Sequence, residues 1–109
     1  MSSRTILTVA LAALIGSAGA LTAQGVKVKE EKPGLLKKAK VTAEAAIATA
    51  QAILPAAKLS AAEIEEEDGK LIYSFEFRTA GKSGIDEVNV DAITGKQVGK
   101  VEHEKTKGQ

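Results

Sequence analysis

Any chemistry performed by this chain would fall mainly to carboxylates, since its 109 residues include 14 Asp and Glu, one His, and neither Cys nor Trp. The densest acidic group is Glu63, Glu65, Glu66, Glu67 and Asp68, with Gly69 directly after it. Two activities suit such a group: a Ca²⁺ site, or bait for a basic groove on a partner. Calcium needs roughly six to eight oxygens converging on one point. A strand sends alternate side chains to opposite faces, so Glu65 and Glu67 face away from Glu66. The group therefore reads as a solvated hairpin whose charges oppose edge-to-edge aggregation. On this reading Glu65, Glu66, Glu67, Asp68 and Gly69 are the candidate residues for partner contact.

The remaining reactive types are scattered. Asp86, Glu87 and Asp91 could be sought as paired carboxylates, but hydrolytic work needs an apolar pocket that separates their pKa values, and none is evident. Asp91 is expected to cap the following turn through Thr94 or a backbone amide. His103, between Glu102 and Glu104, reads as an exposed imidazole at a strand end. It has neither the companion ligands of a transition-metal site nor a nucleophile elbow. Thr94-Gly95-Lys96 lacks the full G-x-x-x-x-G-K-[ST] pattern of a phosphate loop and precedes a strand. Lys37, Lys38 and Lys40 follow Glu30 and Glu31, which marks a solvated linker. The expectation is a non-enzyme with no catalytic residue, no cofactor and no metal.

Charge and composition narrow the partners. With 15 Lys and Arg against 14 acids the net charge is +1, too small to draw the chain to nucleic acid or an anionic membrane. The absence of Cys excludes disulfides, thiolate ligands and a lipidated N-terminal Cys. The length allows one domain, at roughly 100–200 residues each.

The N-terminus has the form of a secretory signal at residues 1–20. Arg4 is followed by the apolar run Ile6–Ile15, and Ala18-Gly19-Ala20 offers a small-x-small cleavage site. Cleavage after Ala20 is preferred to cleavage after Ala23, because Ala18 suits the −3 position better than Leu21. An uncleaved anchor is the alternative, but a span wants about 20 apolar residues, and Gly16, Ser17 and Gly19 dilute the second half. Cleavage removes Arg4 alone, so 15 − 1 = 14 positive groups face 14 negative ones. The expected protein is exported, periplasmic or extracellular, formally neutral, and without stable membrane insertion.

The elements that must position these residues follow from periodicity. Residues 21–40 read as a flexible arm, with Val26 and Val28 between lysines and Pro33-Gly34 as punctuation. Thr42 is a helix N-cap, Glu44 suits the first turn, and Pro55 stops the run. Ala43, Ala46, Ile47, Ala50, Ile53 and Leu54 share one narrow face, so the surface beneath must approach closely. Leu59–Glu67 reads as a strand closed by an Asp68-Gly69 turn. Leu71, Tyr73, Phe75 and Phe77 then alternate with Ile72, Ser74, Glu76 and Arg78. All three aromatic residues fall on one face of that strand, which must be the core, while the other face is polar enough to meet water. Ile85–Val90 and Gln97 to about His103 are two further strands, the last with a bulge at Gly99 because Val98 and Val101 are three apart. Residues 104–109 are a polar tail. The fold class is α+β, one helix packed on a small curved antiparallel sheet of three to four strands.

Residues 41–103 resemble a PepSY domain. The resemblance rests on the Ala-rich helix ending at Pro55, on Lys58-Leu59 leading into the Ala62–Tyr73 hairpin, and on Glu87-Val88-Asn89-Val90-Asp91 followed by Ala92-Ile93-Thr94-Gly95-Lys96. Many members carry Gly after the helix-ending Pro, where this chain has Ala56-Ala57. The resemblance implies a small α+β fold of the kind found in propeptides of thermolysin-like secreted metallopeptidases and in stand-alone exported proteins. It implies no catalytic constellation. No peptidase domain follows in this sequence, so the implied action is a non-catalytic binding module that inhibits or regulates a secreted or envelope peptidase in trans. The other expectation is a structural or stress-related envelope protein that self-associates through its sheet.

Overall fold

A computed structural model describes residues 22–23 and 25–105. The expected signal segment 1–20, its expected cleavage site at Ala20, and residues 106–109 of the expected polar tail lie outside the described residues. In chain order the elements are β1 (Thr22–Ala23), β2 (Val26–Glu30), α1 (Leu35–Lys38), α2 (Ala43–Ile53), β3 (Ala57–Glu67), β4 (Lys70–Thr79), β5 (Ile85–Asp91) and β6 (Gln97–Glu104). The strands lie side by side in that order: a five-stranded sheet, β2 to β6, lengthened at one edge by the two residues of β1.

The α+β class stands, and three details differ from expectation. The sheet is mixed and larger than three to four antiparallel strands, because β2 runs parallel to β3, with Val28 beside Ala62 and Glu30 beside Ile64. A parallel neighbour needs a crossover, and α1 and α2 supply it. The described residues form two helices. The stretch expected as a flexible arm is built into the fold from Val26 onward, because Val28 and Leu35 each leave only 2 % of their surface exposed. Burying those two side chains outweighs the solvation of the lysines around them, which stay at the surface.

Local signals elsewhere act as read. The Thr42 hydroxyl accepts from the Ala45 amide at 3.1 Å and caps α2. Ala43, Ala46, Ile47 and Ala50 bury the narrow face of α2 against Leu59, Ala62, Ile64, Leu71, Tyr73, Phe75, Phe77, Val88 and Val90. Small alanines let the helix axis come close to the large side chains of β4. The rings of Tyr73 and Phe75 stack at 5.7 Å between centroids. The turn after Pro55 closes without glycine: the Gln51 side-chain amide donates to the carbonyls of both Leu54 and Ala57, at 2.9 and 2.8 Å.

The opposite face of the sheet is less open than its pattern implied. Ile72 and Ser74 are buried there, outside the main core. The Ser74 hydroxyl lies 2.7 Å from Glu87 Oε2 and 2.9 Å from Asn89 Oδ1, so longer neighbours close over it. Along β6 the register slips between the Glu87–Glu102 and Asn89–Val98 pairs, which places the expected bulge around Gly99.

Candidate interaction surface

The β3–β4 hairpin is shaped by its two turn residues. Asp68 and Gly69 both have positive φ, 52° and 78°, and Glu67 pairs directly with Lys70. A two-residue turn of this hand matches the right-handed twist of the strands, and Asp-Gly tolerates it. The register then sorts the acidic residues by face. Glu66 pairs with Leu71 on the core side, whereas Glu65 pairs with Ile72 and Glu67 with Lys70 on the other. The five candidate contact residues therefore form no single converging site. Among the described residues no group of three or more His, Asp or Glu could hold a metal ion.

The two faces of the hairpin differ electrically. Glu66 meets Lys32 and Lys38, each at 3.4 Å, and its own amide donates to Glu31 Oε1 at 3.0 Å. The hydrogen bond to Lys32, and then the field of Lys38, hold its carboxyl below the usual range. Glu65 shifts the opposite way. Partial burial raises it first, and the charges of Glu63, Glu67, Glu31 and Glu87 add to the rise. Charge on that face is thus self-repelling, while charge on the core side is paired.

The same end of the sheet carries the turn between β5 and β6, since Asp91 pairs with Ile72. Asp91 Oδ1 accepts from the amides of Ile93 at 2.7 Å and Thr94 at 3.0 Å, the capping role expected of it. These two bonds hold its carboxyl below the usual range. The Ala92 carbonyl receives the amides of Lys40 and Val41, both at 2.9 Å, and so ties the entry of α2 to this turn. The Tyr73 hydroxyl donates to the Val41 carbonyl at 2.7 Å from within the core. Burial, with a smaller push from Glu44, moves that phenol up to about 12.

At the far end the structure joins two residues that lie 17 apart in the chain. Asp86 pairs with His103 across β5 and β6, and Nδ1 of the imidazole lies 2.7 Å from Oδ1. An ionised carboxylate only accepts, so the ring nitrogen donates. Lys82 reaches the other oxygen at 3.5 Å. The His103 bond is the first cause of the lowered Asp86 carboxyl; burial opposes it, and Lys82 assists it. His103 is thus anchored, and not simply an exposed strand-end ring. The signal that could have paired them was the register of β5 against β6, which the bulge at Gly99 obscures.

The family model for PepSY, described as the peptidase propeptide and YPEB domain, matches residues 40–101, more than half of the chain. The chain belongs to the PepSY family. No curated protein and no solved structure matches it. The matched PepSY span holds α2, the β3–β4 hairpin, the Asp91–Lys96 turn and all but the last three residues of β6, whereas β2 and α1 precede it. PepSY domains are generally non-catalytic propeptide or inhibitor modules, and they typically occur in exported proteins. Among the described residues no helix is long and apolar enough to cross a membrane.

Proposed function

We propose that this PepSY domain is an exported, non-catalytic binding module that restrains or regulates a secreted or envelope peptidase in trans. Membership in a family whose description names peptidase propeptides carries the reading. The hairpin end of the sheet supports it as the contact surface. There Glu65, Glu66, Glu67, Asp68 and Gly69 project beside the Asp91–Lys96 turn, on a backbone held by hydrogen bonds and not by loose loop. A surface fixed before binding loses little conformational freedom on docking.

The test is titration of the purified protein into secreted thermolysin-like metallopeptidases, following residual activity and complex formation together. Inhibition or a complex at micromolar concentration is the expected result. Neither effect with any such enzyme overturns the reading. Export is checked separately by N-terminal sequencing of the secreted protein, which is expected to begin at Leu21.

One observation favours a second reading. The outer edge of β6 pairs with no strand among the described residues, and most of β6 is exposed. An unpaired edge is a template for another strand. Concentration-dependent dimerisation in light scattering, without peptidase binding, selects the structural, self-associating role.

A further inference from the structure

The family match begins at residue 40, where the Lys40 and Val41 amides both donate to the Ala92 carbonyl and fix the entry of α2. Before that base, β2, the Pro33-Gly34 bend and α1 form a strap laid along the outer edge of β3. The strap carries part of its own structure. Glu30 Oε2 accepts the Leu36 amide at 2.8 Å, a bond between β2 and α1 that needs nothing from the sheet.

Its grip on the sheet is short. β2 pairs with β3 at Val28–Ala62, Lys29–Glu63 and Glu30–Ile64, and the Glu31 amide adds one bond to the Ile64 carbonyl at 2.9 Å. Past Ile64 the strap leaves the ladder, and the Glu66 amide donates to the Glu31 carboxylate in place of a backbone carbonyl. On either side of this ladder the outer edge of β3 pairs with no strand among the described residues. Lys32 and Lys38 reach Glu66 with 63 % and 62 % of their side chains exposed, so water and salt screen those pairs. The fully seated apolar side chains are Val28 and Leu35, with partial cover from Val26 and Leu36. A segment held by so few buried groups opens at lower cost than the central strands.

Opening bares the edge of β3 and empties the seats of Val28 and Leu35. An unfilled apolar seat is costly. The strand that refills them must run parallel to β3, carry two aliphatic side chains at the same spacing, and bring basic groups to Glu66. The strap itself is the segment seen to meet all three demands. We propose that the outer edge of β3 is a strand-acceptor site, that residues 26–38 are its displaceable occupant, and that the same residues of a second copy replace them. Exchange of an identical element between two copies reproduces every contact of the closed form. This site lies at the edge opposite β6 and does not rest on the peptidase reading.

The probe is a labelled synthetic peptide of residues 26–38, followed by fluorescence anisotropy. The peptide should bind the unaltered protein weakly and slowly, because only the open fraction accepts it. Val28→Ala in the protein loosens its own strap alone. The unaltered peptide should bind that variant about tenfold more tightly and raise its melting temperature, whereas a peptide bearing Val28→Ala should do neither. Lys29→Cys with Glu63→Cys puts two thiols at directly paired positions of a chain that has no other Cys. Oxidised, this double variant should bind no peptide, and reduction should restore binding. Equal binding by its oxidised and reduced forms overturns the acceptor site, as does failure of the peptide to bind both the reduced form and the Val28→Ala protein. Concentrating the unaltered protein should yield dimers that dissociate slowly on dilution, and the oxidised variant should yield none. Dimers that persist with the strap locked overturn exchange and assign association to the β6 edge. Peptide binding without dimers at any concentration overturns the second copy as the occupant.

Discussion

At the hairpin end Glu66 holds Lys32 and Lys38 at 3.4 Å with 39 % of its side chain exposed, whereas at the far end Asp86 holds His103 at 2.7 Å with 7 % exposed. Both carboxyls lie below their usual range because a cationic or donating partner favours the charged form. Their structural consequences are nonetheless different. Water screens the Glu66 pairs, and such pairs add little to stability. Asp86 sits largely out of water beside the core, where losing its partner would leave a charge uncompensated. The far end uses charge to fasten an edge strand; the hairpin end leaves its charge exposed to water.

The largest test of that contrast is Gly84→Ala, at the far end. Gly84 has φ +81°, and an added Cβ would be driven into the carbonyl of Glu104 and stand 2.9 Å from Lys105 Cα. The backbone of β6 cannot yield as a flexible side chain would. A loss of about 2–4 kcal/mol is expected in chemical denaturation. An unchanged midpoint would mean that β6 is not tightly seated at its end.

Asp86→Asn comes next, with an expected loss of about 1–3 kcal/mol at neutral pH from a charge-assisted bond replaced by a neutral one. The sign of its pH dependence is fixed by the lowered folded pKa. The unfolded carboxyl titrates near its ordinary value of about 4, and the native one lower. The stabilisation is therefore full above the ordinary value and is lost as pH falls through the native one. Denaturation curves across the acid range should show the parent and Asp86→Asn converging as the pH drops. Parallel curves would remove Asp86 from the explanation.

Asp91→Ala carries the comparison to the hairpin end. It leaves two amides without their carboxylate acceptor, and about 1 kcal/mol is expected to be lost. Glu66→Gln should lower the melting temperature only slightly, and added salt should erase the difference. The smallest effect is expected from Glu65→Gln. Glu65 is raised by burial and by like charges, so its ionised form is disfavoured in the folded state. At neutral pH the substitution should therefore leave stability unchanged or slightly increased. A clear destabilisation by Glu65→Gln would show that the acidic face is paired and not self-repelling.

Much of the fold was legible because its causes are local. The period-two alternation from Leu71 to Phe77 identified the central strand and its core face. Asp68-Gly69 specified the hairpin, and Thr42 and Pro55 bracketed the helix. Asp91 was readable as a turn cap because the amides that donate to its carboxylate lie two and three residues away. The strand character of residues 26–30 was hidden for a different reason. With Lys27 and Lys29 between the valines, only the parallel pairing with β3 shows that Val28 has a buried place to go.

The sequence by itself determined the helix α2 and the strands β3 to β6, the apolar side of α2 and of β4, and the family to which residues 40–101 belong. Periodicity, capping and turn chemistry act over a few residues, so one chain read in order contains them. Tertiary structure alone decided that β2 joins the sheet in parallel, that Asp86 pairs with His103 beyond a bulge, and that the Asp91–Lys96 turn shares one end of the sheet with the Asp68-Gly69 tip. Those contacts join residues far apart in the chain, and their geometry depends on register and twist accumulated through every intervening strand.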